Sequence, residues 1–286
     1  MSALALALVL AAAFIHATWN YLLKRSGGGT AFVFLFAILS ALIYAPLALG
    51  IVWWTRPALT WVSYALIAAS AVIHTAYYLL LDRGYRSGDL SLVYPLARGS
   101  APLITVLAAV LLLNEHPSAT AITGALLIAF GAILLTGSFA KLRASGSLPA
   151  VAAALLTGCM IASYSVVDKL AVAAFFVPPL LHDWAGNLGR VAIMTPMALR
   201  RRAEVAEAWR RWRSEAIAIA VLCPLSYILV LSAMVFTPVS YVAPAREISI
   251  LLAAILGTQL LAEKDARRRL FAAGAMVAGI VCLAVG

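Results

Sequence analysis

Charge is what this sequence has least of, and negative charge least of all. Asp, Glu, Lys and Arg make up 11% of the 286 residues, with 11 acidic side chains against 21 basic ones. An ordinary soluble domain carries about a quarter charged residues. Such scarcity excludes a water-solvated globular surface and points to an all-α integral membrane protein with little mass outside the bilayer. Cysteine is scarce too. Cys159, Cys223 and Cys282 are an odd set in apolar stretches, which excludes a disulfide framework or a cysteine metal site and reads as free, buried thiols. No GxxxxGK[ST], HExxH, paired CxxC or GxSxG occurs, so no nucleotide site, metal, cofactor or enzyme chemistry is expected. Gly27-Gly28-Gly29 is read only as a turn.

In place of charge there are long apolar runs. The chain is 64% hydrophobic with a mean hydropathy of +1.01. A hydrocarbon layer about 30 Å thick takes roughly 20 helical residues. Spans are read at 3–23, 30–54, 58–81, 89–114, 117–137, 149–168, 176–199, 216–236, 239–262 and 270–285. Asp183 and Arg190 interrupt the seventh. Separation of the eighth from the ninth rests on Thr237-Pro238. The apolar opening continues to Leu23 without a basic leader, so it reads as a first transmembrane helix and not a signal peptide.

The net charge of +10 suggests nucleic acid until its distribution is examined. Loops after spans 1, 3, 5, 7 and 9 carry sixteen Lys and Arg, six of them within 200–213. The opposite side has only Arg56 and Lys169. The positive-inside rule puts the odd loops in the cytoplasm and both termini outside. The basic excess is therefore a topology signal, and no nucleic-acid partner is expected. Enrichment in Arg and Ala suggests a GC-rich bacterial genome, hence an inner membrane. The segment 200–215, with Trp209 and Trp212 among its arginines, reads as a short interfacial helix. Trp53, Trp54 and Trp61 read as an outer aromatic belt.

The chain is also internally repetitive. LSLVYPLARGSAPLITVLAAVLLLNE in the fourth span is matched by VSYVAPAREISILLAAILGTQLLAE in the ninth. Both run Ser, aromatic, Pro, Arg, apolar residues, Glu. Arg98 and Arg246 each lie 17 positions before a glutamate, Glu115 or Glu263. The division falls in 138–148, giving five-span units at 1–137 and 148–286. An odd number of spans per unit inserts the second upside down, a recurrent plan in which the site lies at mid-depth between the repeats.

Ionised side chains at bilayer depth are costly and mark functional sites. Arg98 and Arg246 are candidates for an anionic substrate group, or for pairing with a buried acid. Glu247 has no counterpart in the first unit, where Gly99 stands. It is a candidate for proton coupling or for an ion pair with Arg98, and need not neutralise Arg246 because neighbours on a helix point about 100° apart. His16 and Asn20 share one face of the first span, with Trp19 beside them facing either the same stripe or lipid. Tyr94, Tyr164 and Tyr241 add aromatic candidates at depth. His182, Asp183, Asn187 and Arg190 form a further polar cluster. Glu115 and Glu263 read as interfacial caps.

Two motifs carry a family resemblance: HATWNYLLKR, from His16 to Arg25, and LSLVYPLARGSAP, from Leu90 to Pro102, followed by Glu115. They resemble the EamA-type branch of the drug/metabolite transporter superfamily along essentially the whole chain. The resemblance implies helices 1–4 and 6–9 around a central cavity, with helices 5 and 10 at the periphery. It also implies secondary transport, often export of amino acids or other small metabolites. A monomer or a homodimer is expected. A carrier of phosphate-, phosphonate- or carboxylate-bearing metabolites is the alternative within that class. A membrane scaffold or sensor is the alternative outside it, disfavoured by the intramembrane charge. A reporter fused to the C-terminus is expected to be active only outside the cytoplasm; one active only in the cytoplasm contradicts the charge-derived topology.

Overall fold

The computed structural model describes residues 1–86, 90–136, 148–256 and 266–286. It is all-helical, with no β-strand among the described residues. The helices are α1 Ala3–Arg25, α2 Thr30–Thr55, α3 Trp61–Arg86, α4 Leu90–Leu113, α5 Ala119–Thr136, α6 Leu148–Lys169, α7 Pro179–Arg200, α8 Arg202–Phe236, α9 Val239–Arg246, α10 Ile248–Leu256 and α11 Ala266–Val285. Among the described residues, α1, α2, α8, Trp61–Leu80 and Ala154–Ala174 are long and apolar enough to cross a membrane. Shorter apolar helices cover Ala97–Leu113, Ala119–Leu135 and Leu270–Val285.

Local chemistry explains where the helices begin and end. Ser2 caps α1, its hydroxyl accepting from the Ala5 amide, and Lys24 and Arg25 sit in the last turn, where the helix end attracts cations. The turn into α2 needs its three glycines, which have φ of 78°, 60° and 95°. Beyond Lys169 the helix widens into a π-turn over Leu170–Ala174. Phe176 then takes a left-handed conformation, and α7 starts at Pro179, a residue suited to the first helical position. The seventh span therefore begins three residues later than the hydropathy suggests.

Two breaks matter more. α8 has 35 residues, about 52 Å of helix, more than a bilayer requires. Trp212 interrupts it with φ −131° and ψ 31°. The arginine-rich turns before Trp212 form the short helix expected over 200–215, and the apolar turns after it form the eighth span. The ninth span breaks at Glu247. Pro244 has no amide hydrogen, and the Glu247 amide donates to Pro244 O, three residues back, at 3.0 Å. The chain restarts as α10, whose Ile250 amide donates to Glu247 O.

α1 packs on α8 as α3 packs on α6. α2 meets α8 as α7 meets α3. α1 lies on α10 as α6 lies on α4, and α2–α7, α4–α9 and α5–α11 pair directly. The main contacts between the two halves of the chain are thus unchanged when the halves are exchanged. α5 and α11 lie against each other with their outer faces exposed, through Leu126 and Phe130 on one and Phe271 and Val281 on the other. Trp53, Trp54 and Trp61 are almost fully exposed, as an interfacial belt requires. Cys159 departs from the sequence reading: it is free but faces outward, and Cys223 and Cys282 are only partly covered.

Close approach of α5 and α11 depends on small residues. A β-carbon on Gly124 would lie 2.7 Å from Gly279 O, and one on Gly279 would lie 2.7 Å from Gly124 O. One on Gly131 would meet Ala272 O at 2.8 Å. Gly274 on the same helix faces open space, and Ala272 and Met276 take the contact. Without a hydrophobic drive between helices in lipid, such backbone proximity is the main adhesive. Gly124→Val or Gly279→Val is expected to destabilise the protein by about 1–3 kcal/mol through overpacking. Gly274→Ala is expected to be neutral. Thermal unfolding in detergent reads both.

Candidate functional site

Arg98, Arg246 and Glu247 come together where α4 meets the α9–α10 break. They are 4%, 5% and 1% exposed. Arg98 Nε lies 3.1 Å from Glu247 Oε2, and Arg246 Nε lies 3.9 Å from Oε1. The anticipated pair between Arg98 and Glu247 is present. Glu247 also approaches Arg246, which ideal helix geometry disfavours; the break between them allows it. The break has an electrostatic logic of its own. Arg246 occupies the last turn of α9, where backbone carbonyls favour a cation, and Glu247 precedes α10, where amides favour an anion.

Further contacts hold the two guanidinium groups. Arg98 donates to Ser249 Oγ at 3.4 Å. Arg246 donates to Tyr164 OH at 3.3 Å, with its guanidinium carbon 5.7 Å from the Tyr164 ring centre. His16 lies within electrostatic reach of both arginines and stands edge-on to Trp19, at 4.8 Å. The trio itself counts two cations against one anion, and guanidinium forks suit carboxylate or phosphate.

Other candidates lie elsewhere. The Asn20 amide turns back onto its own helix, donating to His16 O at 2.8 Å. Trp19 is not lipid-facing: it is 6% exposed and donates to Ser226 Oγ on α8. Tyr241 is held at the far end of α9, accepting from the Ser118 amide and donating to Gly286 O, away from the arginines. Its position two residues into α9 puts it at the helix start. The Tyr94 side chain and all of Glu263 lie outside the described residues. Glu115 does act as a cap, but of another helix. Its two oxygens accept from the Val239 and Ser240 amides at 2.8 and 2.9 Å, holding the start of α9.

The sequence reading missed Asp168. It is fully buried; one carboxylate oxygen lies 2.9 Å from His182 Nε2, and the other accepts from the Tyr227 hydroxyl. His74 stacks on Tyr164 at 4.1 Å and meets Tyr227 edge-on. A polar and aromatic chain therefore runs from Asp168 through Tyr227, His74 and Tyr164 to Arg246. The anticipated polar cluster on α7 divides. His182 faces Asp168. The Asn187 amide donates to Ala37 O, and Arg190 donates to Asn187 and covers the Tyr78 ring. Asp168 was overlooked because it falls at the predicted end of the sixth span beside Lys169, where charges are routine. The π-turn carries the helix past it. Lys169 meanwhile donates to Met234 O and Thr237 O at the end of α8. Among the described residues, no cluster of His, Cys, Asp and Glu has the composition to hold a metal ion.

Long apolar helices around a buried charged cluster, with charged partners drawn from both halves, define a polytopic membrane protein with a polar interior. The family model for the EamA-like transporter family matches residues 3–137 and again 148–285, and the chain belongs to that family. A solved crystal structure shares the fold with a TM-score of 0.72 at 14% identity, over 100% of this chain and 98% of the other. A search of the curated proteins finds no match.

Shared use of Glu247 ranks the expected effects of substitution. Glu247→Gln removes the carboxylate that two buried arginines approach and is expected to cost about 3–5 kcal/mol. Arg98→Met leaves Glu247 paired with Arg246 and is expected to cost clearly less. Unfolding in detergent measures both; equal losses would show that Glu247 serves Arg98 alone.

Proposed function

We propose that this protein is a secondary active transporter that exports small polar metabolites, amino acids among them, across a bacterial inner membrane. Ten spans form two inverted five-helix units, residues 1–137 and 148–286, with both termini outside. Alternating access rocks one unit against the other around the Arg98–Glu247–Arg246 cluster. The observation that carries this reading is the burial of that cluster between two transporter-family repeats. Intramembrane charge is costly, and a scaffold or sensor has little use for it. The exchange-invariant packing of the halves supports the repeat arrangement. Glu247 acts as the shared counter-ion of the arginines, and the substrate's carboxylate takes up their excess positive charge.

That excess also favours a second reading, an exchanger or uptake carrier for metabolites bearing phosphate, phosphonate or carboxylate. Counterflow in proteoliposomes with a labelled panel separates the two. Exchange restricted to zwitterionic amino acids supports the first; exchange of phosphorylated or dicarboxylic compounds without amino acids supports the second. In either case Arg246→Ala is expected to abolish exchange, at least tenfold below wild type, or more than about 1.4 kcal/mol of lost binding. Wild-type protein that exchanges no member of either panel overturns the transport reading.

A further inference from the structure

Asp168 and His182 are buried, ionisable and unused by the arginine cluster. Both oxygens of Asp168 are engaged, by His182 Nε2 at 2.9 Å and by the Tyr227 hydroxyl. The tyrosine donates its only hydrogen. An ionised carboxylate only accepts, so His182 donates Nε2–H and is neutral when Nδ1 carries no proton. That Nδ1 is buried with no hydrogen-bond partner among the described residues. The pair spans two elements, Asp168 at the end of α6 just before the π-turn and His182 on the first turn of α7.

We infer that the Asp168–His182 pair, and not Glu247, carries the coupling proton; this rests on the transport reading above. A proton arriving at His182 Nδ1 turns the ring into an imidazolium beside the carboxylate and takes the pair's charge from −1 to zero. The same proton leaves from Nδ1, so the cycle balances. In the present conformation a protonated Nδ1 would be a buried donor without an acceptor, which is unfavourable. The proton-loaded form therefore belongs to a second conformation, in which Nδ1 gains a partner or water, and proton binding shifts the population toward it. Glu247 is less suited, because neutralising it removes the carboxylate that both buried arginines approach.

The surroundings link this switch to the substrate cluster. From α3, Ser70 and His74 face Asp168. From α8 comes Tyr227, which meets the Tyr164 ring at 6.3 Å, and Tyr164 in turn holds Arg246. From α7, Asp183 lies within electrostatic reach of the pair, and Arg190 within reach of Asp183 and His74. Lys169, next in sequence, is turned away onto the α8 carbonyls. When Trp19-Asn20 is aligned with Tyr164-Ser165, Leu23 stands where Asp168 does, so the device belongs to the second half alone.

Two measurements on the full-length protein test this. In proteoliposomes given a labelled amino-acid mixture, one proton per cycle yields about tenfold accumulation per unit of pH gradient, since each 1.4 kcal/mol is tenfold. His182→Gln should lose that accumulation while keeping gradient-free counterflow within about twofold, the glutamine amide still donating to Asp168. Accumulation that survives in His182→Gln overturns the proposal. The second measurement needs no substrate. With isotope-labelled histidine, nitrogen shifts should show His182 Nδ1 gaining a proton between alkaline and acidic buffer in wild type, with the response altered in Asp168→Asn. A ring with the same protonation in both buffers overturns the proposal, even if His182→Gln fails to fold. Wild-type protein that shows no counterflow while its ring does titrate refutes transport and not the proton site.

Discussion

The ion pair between Arg98 and Glu247 is the constraint around which this molecule is arranged. It joins α4 of the first half to the α9–α10 junction of the second, and both partners are withdrawn from solvent. A buried charge persists only with a partner, and the carboxylate that Arg98 of the first half meets is Glu247 of the second. The ninth span accommodates the pair by breaking. Pro244 removes a backbone donor, the ladder tightens at Glu247, and the opposed helix ends receive an arginine and a glutamate of matching sign. Helix interruption, ion pairing and the meeting of the two halves are one feature seen at three scales.

The remaining polar groups divide between holding the helices and equipping the interior. Glu115 on the start of α9, Lys169 on the end of α8 and Trp184 on Ala41 O each satisfy backbone groups that lipid cannot. They tie one element to another. Asp168, His182, Tyr227, His74 and Tyr164 are different, because each touches another of the group by hydrogen bond or ring contact and they lead toward Arg246. At the periphery, α5 and α11 approach until their backbones nearly touch, which leaves the other helices to surround the charged interior.

Much of this was legible in the sequence. Hydropathy and the matched fourth and ninth segments implied a helical membrane protein with a repeat, and two motifs implied its family. Arg98, Arg246 and Glu247 stood out because charge in an apolar run is expensive wherever the chain puts it. Other candidates failed for reasons that hydropathy does not contain. Tyr241 and Tyr164 look alike as tyrosines in spans, yet one is tied to Ser118 and Gly286 at a helix end and the other supports Arg246. Trp19 looked as fit for lipid as for the interior until Ser226 claimed its indole. Asn20 shares a face with His16, but its amide is taken by its own backbone.

Composition and periodicity by themselves determined the solvent this protein lives in, the helices it forms and the few charges it must bury. Those follow from transfer free energies, which each residue carries with it. Only the tertiary structure decided which charges meet. Helix period assigned Glu247 away from Arg246, and a break brought them within 3.9 Å. Span length put Asp168 at an interface, and the helix runs on past it into a π-turn with Asp168 buried against His182 and Tyr227. The physical reason is the same in both cases. A helix irregularity shifts a side chain by a large fraction of a turn, and whether it occurs depends on which distant groups stand ready to pair with what it exposes.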